Sequence, residues 1–231
     1  MAMKRTMKVV FSLALLLLPL ASAVEAKFDF MYLVQQWPDS YCSTHKYCIV
    51  KPPSHFTIHG LWPSYNKRPG PHYCKNYEAY LDPKHIENLE TLLNKKWPSL
   101  TLNQNNLEFW SHEWRRHGTC SKLGQHRYFK AALKLAKLHS LSKILAGAGI
   151  VPSNQNTYTF REISDALAWG TGLTTYFKCS KNKAGDTLLS EVFQCVDRYG
   201  EKLINCTPPF KKKAHSCVNV NKIKLPTWFH H

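Results

Sequence analysis

Eight cysteines at irregular intervals, Cys42, Cys48, Cys74, Cys120, Cys179, Cys195, Cys206 and Cys217, constrain this 231-residue chain more than any other feature. What they do depends on the redox compartment, and the amino terminus speaks to that. Lys4, Arg5 and Lys8 form a basic start, and Val9 to Leu20 is an apolar run of about a dozen residues, short of the ~20 that a spanning helix needs. Ala21-Ser22-Ala23 and Val24-Glu25-Ala26 offer small residues for cleavage. Residues 1–26 are therefore expected to be a signal peptide removed after Ala26, leaving a secreted, soluble chain of residues 27–231 with no membrane association. An even cysteine count in a secreted chain reads as four disulfides, with 105 possible pairings that spacing cannot resolve. A zinc site does not fit, because no Cys-x-x-Cys pair occurs.

The formal net charge is +16, and the leader contributes little to it, with three of the 31 Lys and Arg and one of the 15 Asp and Glu. The excess is spread along the chain apart from a knot at Lys211-Lys212-Lys213. A surplus of this size favours polyanionic partners: nucleic acid, cell-wall pectate or an acidic membrane surface. It also fits a merely solubilising surface, and composition does not choose among these.

Hydrophobic periodicity divides the chain without a linker or repeat. Phe28 to Trp37 reads as a buried strand ending at Pro38, and Phe56-Thr57-Ile58-His59 as a second, with Phe56 and Ile58 on one face and Thr57 and His59 on the other. Ser64 to Cys74, with Pro69, Gly70 and Pro71, is an exposed loop. Pro83 to Trp97 and Tyr128 to Leu145 carry helical spacing, the second being the longest amphipathic candidate. Thr159-x-x-Glu162 is a capping box for a helix through Ala168. Thr174 to Cys179, Leu188 to Val196 and Lys202 to Cys206 read as further strands. The mixture predicts one α+β domain.

Chemistry concentrates in Phe109-Trp110-Ser111-His112-Glu113-Trp114-Arg115-Arg116-His117-Gly118-Thr119-Cys120. On a helix, His112, Glu113, Arg116 and His117 share one face while the aromatic residues pack elsewhere. Metal binding is a poor reading: the two histidines stand at i and i+5, about 140° apart, whereas a zinc helix needs i and i+4. A satisfied structural core is a second reading. Acid–base catalysis is the third, and it gains weight from His59, which ends a strand just before Gly60-Leu61-Trp62-Pro63.

These two segments, Phe56 to Pro63 and Phe109 to Cys120, closely resemble the two active-site segments of the ribonuclease T2 family, and Gln35-Gln36-Trp37-Pro38 resembles its plant branch. The resemblance runs from Phe28 to about Cys217 and is weakest between Leu123 and Thr174. It implies a single α+β domain with a largely antiparallel central sheet flanked by several helices and stapled by four disulfides, paired Cys42–Cys48, Cys74–Cys120, Cys179–Cys217 and Cys195–Cys206. It implies cleavage of RNA by attack of a ribose 2′-hydroxyl on the neighbouring phosphate through a 2′,3′-cyclic phosphate, without metal or other cofactor. His117 matches the family's base and His59 its acid. His112 would bind phosphate, and Glu113 and Arg116 would stabilise the pentacovalent centre. The family more often has Lys at the position of Arg116; Arg keeps the charge and adds a bidentate fork. Gln36, Trp62 and Phe109 match positions that line nucleotide sites, although Trp62 and Phe109 fit a core equally well. Asn205-Cys206-Thr207 is a glycosylation sequon of weak promise beside Cys206 and Pro208.

Within the plant branch, the basic charge and eight-cysteine layout, with Ile49 rather than a further cysteine after Cys48, resemble pistil self-incompatibility ribonucleases. Such a protein would be a monomer, and its Ser64–Tyr73 loop could face pollen F-box proteins. A stress or phosphate-recycling ribonuclease is the alternative role. A non-catalytic RNA-binding or storage protein is the alternative of another class, disfavoured because both histidines are present.

Overall fold

A computed structural model describes residues 28–49, 51–74, 79–206 and 217–228. The leader segment and Lys211–Lys213 lie outside these residues. The architecture is a single α+β domain built on a mostly antiparallel sheet. Its strands are β1 (Phe30–Gln36), β2 (Thr57–Ser64), β3 (Ser153–Tyr158), β4 (Tyr176–Lys181), β5 (Thr187–Val196), β6 (Leu203–Ile204) and β7 (Ile223–Leu225). The order runs β2-β1-β5-β7-β3, with β4 and β6 also paired to β5, and β5–β7 is the parallel pair.

Strand alternation gives the sheet two different faces. Leu33, Ile58, Leu61, Phe177, Val192 and Val196 are fully buried on one face beneath the helices. They join two clusters. The first contains Trp97, Trp110, Trp114, Tyr128 and Phe129, and the second Leu141, Leu145, Ile163 and Leu167. The opposite face carries Tyr32, Gln36, Trp62, Lys178, Glu191 and Phe193.

The helices are α1 (Pro38–Cys42), α2 (Glu90–Lys96), α3 (Asn106–Arg116), α4 (Gln125–Leu138), α5 (Leu141–Gly147) and α6 (Phe160–Thr171). The predicted Pro83–Trp97 helix begins instead as a 3-10 turn over Pro83–Leu89, capped by Asp82, before α2 takes over. The predicted Tyr128–Leu145 helix is interrupted at His139–Ser140, where both residues leave helical geometry. The cause is tertiary. Tyr128, Phe129 and Leu133 of α4 belong to the first core cluster, and Leu141 and Leu145 of α5 to the second. A straight helix could not serve both, and the Ser142 hydroxyl pins α5 by accepting the Phe56 N–H at 3.1 Å. The Thr159/Glu162 capping box forms, and α6 runs past Ala168 to stop on Gly172 in left-handed conformation. Strands β3 and β7 are not legible as strands in the sequence, because β3 is Ser153–Tyr158, a polar run, and β7 spans three residues.

Four disulfides join Cys42 to Cys48, Cys74 to Cys120, Cys179 to Cys217 and Cys195 to Cys206. Asn205 is exposed, and its side-chain oxygen accepts the Thr174 N–H at 3.1 Å. Cys74–Cys120 ties the loop after β2 to the end of the α3 segment across 46 residues. Loop-closure entropy puts its contribution at about 4 kcal/mol. Replacing both cysteines by alanine should lower the denaturant midpoint without changing the far-ultraviolet spectrum of the folded state.

Candidate active site

The site forms where α3 runs beside edge strand β2. Asn105 and Glu108 form a reciprocal capping box that fixes where α3 starts. The helix is amphipathic: Trp110 and Trp114 are buried in the core, and the Trp110 indole N–H donates to the Trp97 carbonyl at 2.7 Å. Glu113 is 2% exposed although it is a carboxylate. It is held there because its Oε2 accepts the Trp62 indole N–H at 2.8 Å. His117 is not on the regular helix face. It is the C-terminal cap, with φ −120° and ψ −47°, and its N–H donates to the Glu113 carbonyl at 2.9 Å. That departure from helical geometry turns its ring onto Trp62, stacked at 5.1 Å with 27° between planes. The turn continues through Gly118, where a Cβ would collide with the Trp114 ring.

His59 is aimed by a β-bulge. Val34 pairs with Gly60 and Gln35 with Ile58, so His59 is the extra residue of β2. Its Nδ1 lies 2.6 Å from Glu191 Oε1, and Glu191 Oε2 lies 3.4 Å from Lys178 Nζ. The His59 ring meets the Trp62 edge at 5.0 Å and Phe109 at 6.1 Å. Trp62 therefore touches both histidines and the buried carboxylate. Gln36 is buried in register with Glu191 and Thr57. His112 is half-buried. Arg116 is exposed, with its guanidinium 5.8 Å from the Tyr73 ring.

Electrostatics separate the two histidines. Burial lowers the His59 pKa, but the hydrogen bond that His59 donates to Glu191 and the charges of Glu113 and Glu191 outweigh it, and the net shift is upward. Burial again leads for His117, reinforced by Arg116, His59, His112 and His72, and its pKa falls to about 3. His117 Nδ1 is buried without a protein hydrogen-bond partner. Burial and the charges of Arg116, Arg115 and His59 likewise lower His112. Burial raises Glu113, with His59, the Trp62 hydrogen bond and Arg116 opposing. Burial raises Glu191 too, but the hydrogen bond and charge of His59, with Lys178, bring it below its ordinary value. Glu191 is thus ionised and accepts Nδ1–H, which leaves His59 Nε2 for a reacting group. Both imidazoles thus lie against Trp62, with the His59 pKa shifted up and the His117 pKa shifted down, an asymmetry suited to general acid–base transfer.

The structure thus brings His59, Trp62, Phe109, Glu113 and His117 into one cluster, with Gln36, His112 and Arg116 around it. Glu191 and Lys178 complete the site and were missed by sequence reasoning. The available signal was a carboxylate at position 191 within an otherwise uncharged strand.

Residues 28–206 match the Ribonuclease T2 family, and the chain belongs to it. It is a ribonuclease of that family in fold and sequence. Among curated relatives it is 40% identical over 206 residues to intracellular ribonuclease LX of Solanum lycopersicum, covering 87% of this chain and 85% of that one. It is 35% identical over 212 residues to ribonuclease S-2 of Pyrus pyrifolia, covering 89% and 92%. The crystal structure of RNase NT in complex with 5′-AMP superposes with a TM-score of 0.79 at 39% identity, covering 86% of this chain and 98% of that one.

Gly60 carries a consequence for the site. A Cβ there would collide with the Trp62 indole nitrogen and the Glu113 carboxylate. Gly60→Ala should therefore break the Trp62–Glu113 bond and lower RNA cleavage by about 10-fold or more, the loss expected for one displaced positioning contact. Circular dichroism should report an intact fold.

Proposed function

We propose that this ribonuclease is a secreted endonuclease that cleaves single-stranded RNA by 2′-hydroxyl transesterification. The observation that carries the reading is that His59 and His117 both pack against Trp62, with Glu191 at 2.6 Å from His59 Nδ1; their pKa values shift in opposite directions, His59 up and His117 down. His117, neutral, takes the proton from the 2′-hydroxyl. The oxygen attacks the adjacent phosphorus, and His59 delivers its Nε2 proton to the departing 5′-oxygen. The products are a 2′,3′-cyclic phosphate and a free 5′-hydroxyl, so atoms and charge balance. Arg116 and His112 hold the phosphate oxygens, and Glu113 orients the cluster through Trp62. Phe109 offers a ring for base stacking, and Gln36 and Trp62 wall the nucleotide site. DNA lacks the 2′-hydroxyl and is a poor substrate. The domain responsible spans residues 27–231 after loss of the 1–26 leader.

Charge and the eight-cysteine layout support a pistil self-incompatibility role. So does the likeness to the structure titled as the Nicotiana alata self-incompatibility associated SF11-RNase, with a TM-score of 0.72 at 27% identity. In that role the chain acts as a monomer, and exposed residues Asn66–Pro69, His72 and Tyr73 would meet pollen F-box proteins. The second reading is RNA turnover under stress or phosphate limitation; the 40% identity to ribonuclease LX, above the 35% to ribonuclease S-2, weighs against the first. Allele-polymorphic transcripts confined to styles would support the first; transcripts in starved leaves or roots would support the second.

His59→Ala and His117→Ala should each lower RNA cleavage about 10²–10⁴-fold with the fold intact; a fully active double variant in an RNA-impregnated gel would overturn the mechanism. The sign of the pH dependence follows from the two shifts. His117 must be neutral, so kcat/KM rises through about pH 3. His59 must be protonated, so kcat/KM falls only above its raised pKa, on the alkaline side of 6.5. Glu191→Gln removes the hydrogen-bonding carboxylate that raises His59, leaving only the charge of Glu113 to oppose burial. The alkaline limb should move to lower pH, with about tenfold lost at fixed alkaline pH for each unit of displacement. A purely structural role for Glu191 would leave the profile in place.

A further inference from the structure

On the helix-covered face of the sheet, away from the cleft, the break between α4 and α5 opens a cavity of about 380 Å³. Gln35 and Ile58 reach it from the strands, on the face opposite to Gln36 and Glu191. His55, Lys96, Lys137 and Lys143 converge on it from the loop before β2, the end of α2, the end of α4 and the start of α5. Ser140 lines it at the break itself. No carboxylate lines the cavity, and among the described residues none of the three lysines forms an ion pair. At Lys96 and His55 neighbouring lysine charge adds to the effect of burial. Burial and the charges of Lys95 and Lys143 lower the Lys96 pKa. Burial and the charges of Lys96 and Lys95 lower that of His55, which is tethered by a ring nitrogen to the Lys95 carbonyl at 3.2 Å. Like charges gathered around a concave, partly desolvated site repel one another, and an anion bound among them removes that repulsion. The surrounding wall is apolar, with Phe56, Leu133 and Leu141, which raises the strength of each charge contact.

We propose that this cavity is an anion-binding site, separate from the catalytic cleft, for a small phosphate-bearing ligand. Lys96, Lys137 and Lys143 supply the charge, and Ser140 supplies a hydroxyl donor. Three ammonium groups match an anion carrying two or more negative charges in a compact volume, the character of a phosphate ester or pyrophosphate rather than a monocarboxylate. The site does not depend on the catalytic reading of His59 and His117.

Inorganic pyrophosphate is the probe, followed by isothermal titration calorimetry on the full mature protein at low salt. The Lys96→Ala/Lys143→Ala variant is compared with Lys130→Ala/Lys134→Ala, which removes equal charge from exposed positions of α4 outside the cavity. The expected result is saturable binding that weakens at least tenfold in the first variant and less than threefold in the second. Cleavage of a dinucleoside phosphate should be unchanged in both. Equal weakening in the two variants would reduce the effect to diffuse surface charge and overturn the proposal. So would absent binding, or binding abolished only by Arg116→Ala, which would place the probe in the catalytic cleft. Loss of dinucleoside cleavage in the histidine variants with pyrophosphate binding retained separates the two sites.

Discussion

The bond from the Trp62 indole N–H to the buried Glu113 carboxylate is the contact on which the site depends. It joins an edge strand to the last turns of a helix, 51 residues apart in sequence. A carboxylate with so little exposure needs a donor to remain buried. The indole supplies one, and in doing so fixes the plane on which His117 stacks and against whose edge His59 packs. Gly60 leaves the space that lets the two approach, and Gly118 lets the chain turn His117 inward after the helix. The Cys74–Cys120 disulfide closes the same corner from outside.

Around that contact the chain gives opposite surroundings to chemically identical side chains. His59 sits in a strand bulge against an ionised carboxylate, whereas His117 sits among cations with its Nδ1 buried and unpartnered in the protein. The strand supplies one environment and the helix end the other. Glu191, the one charged residue of β5, lies on the sheet face of His59 and pairs with it, while its neighbour Val192 faces the core.

Much of this was legible without coordinates. Two aromatic-rich segments carrying His59 and the His112–His117 cluster located the chemistry, because acid–base groups held among apolar residues stand out from both core and surface patterns. The i, i+5 histidine spacing was informative in one respect and misleading in another. It argued against a shared metal ion, but it also suggested that both rings belong to one helix face, whereas His117 is a cap outside the helix. The Tyr128–Leu145 periodicity was real, yet it described two helices, since each half keeps the same period while serving a different core cluster.

The sequence by itself determined the residue types of the candidate site, the α+β class and the cysteine inventory, all of which are set by local pattern and composition. Tertiary structure decided the rest. Only pairing register reveals the bulge that aims His59, and only the meeting of β1, β4 and β5 brings Glu191 and Lys178 to it. The protonation states likewise belong to the fold, because burial and the placement of neighbouring charges have no expression in a linear string.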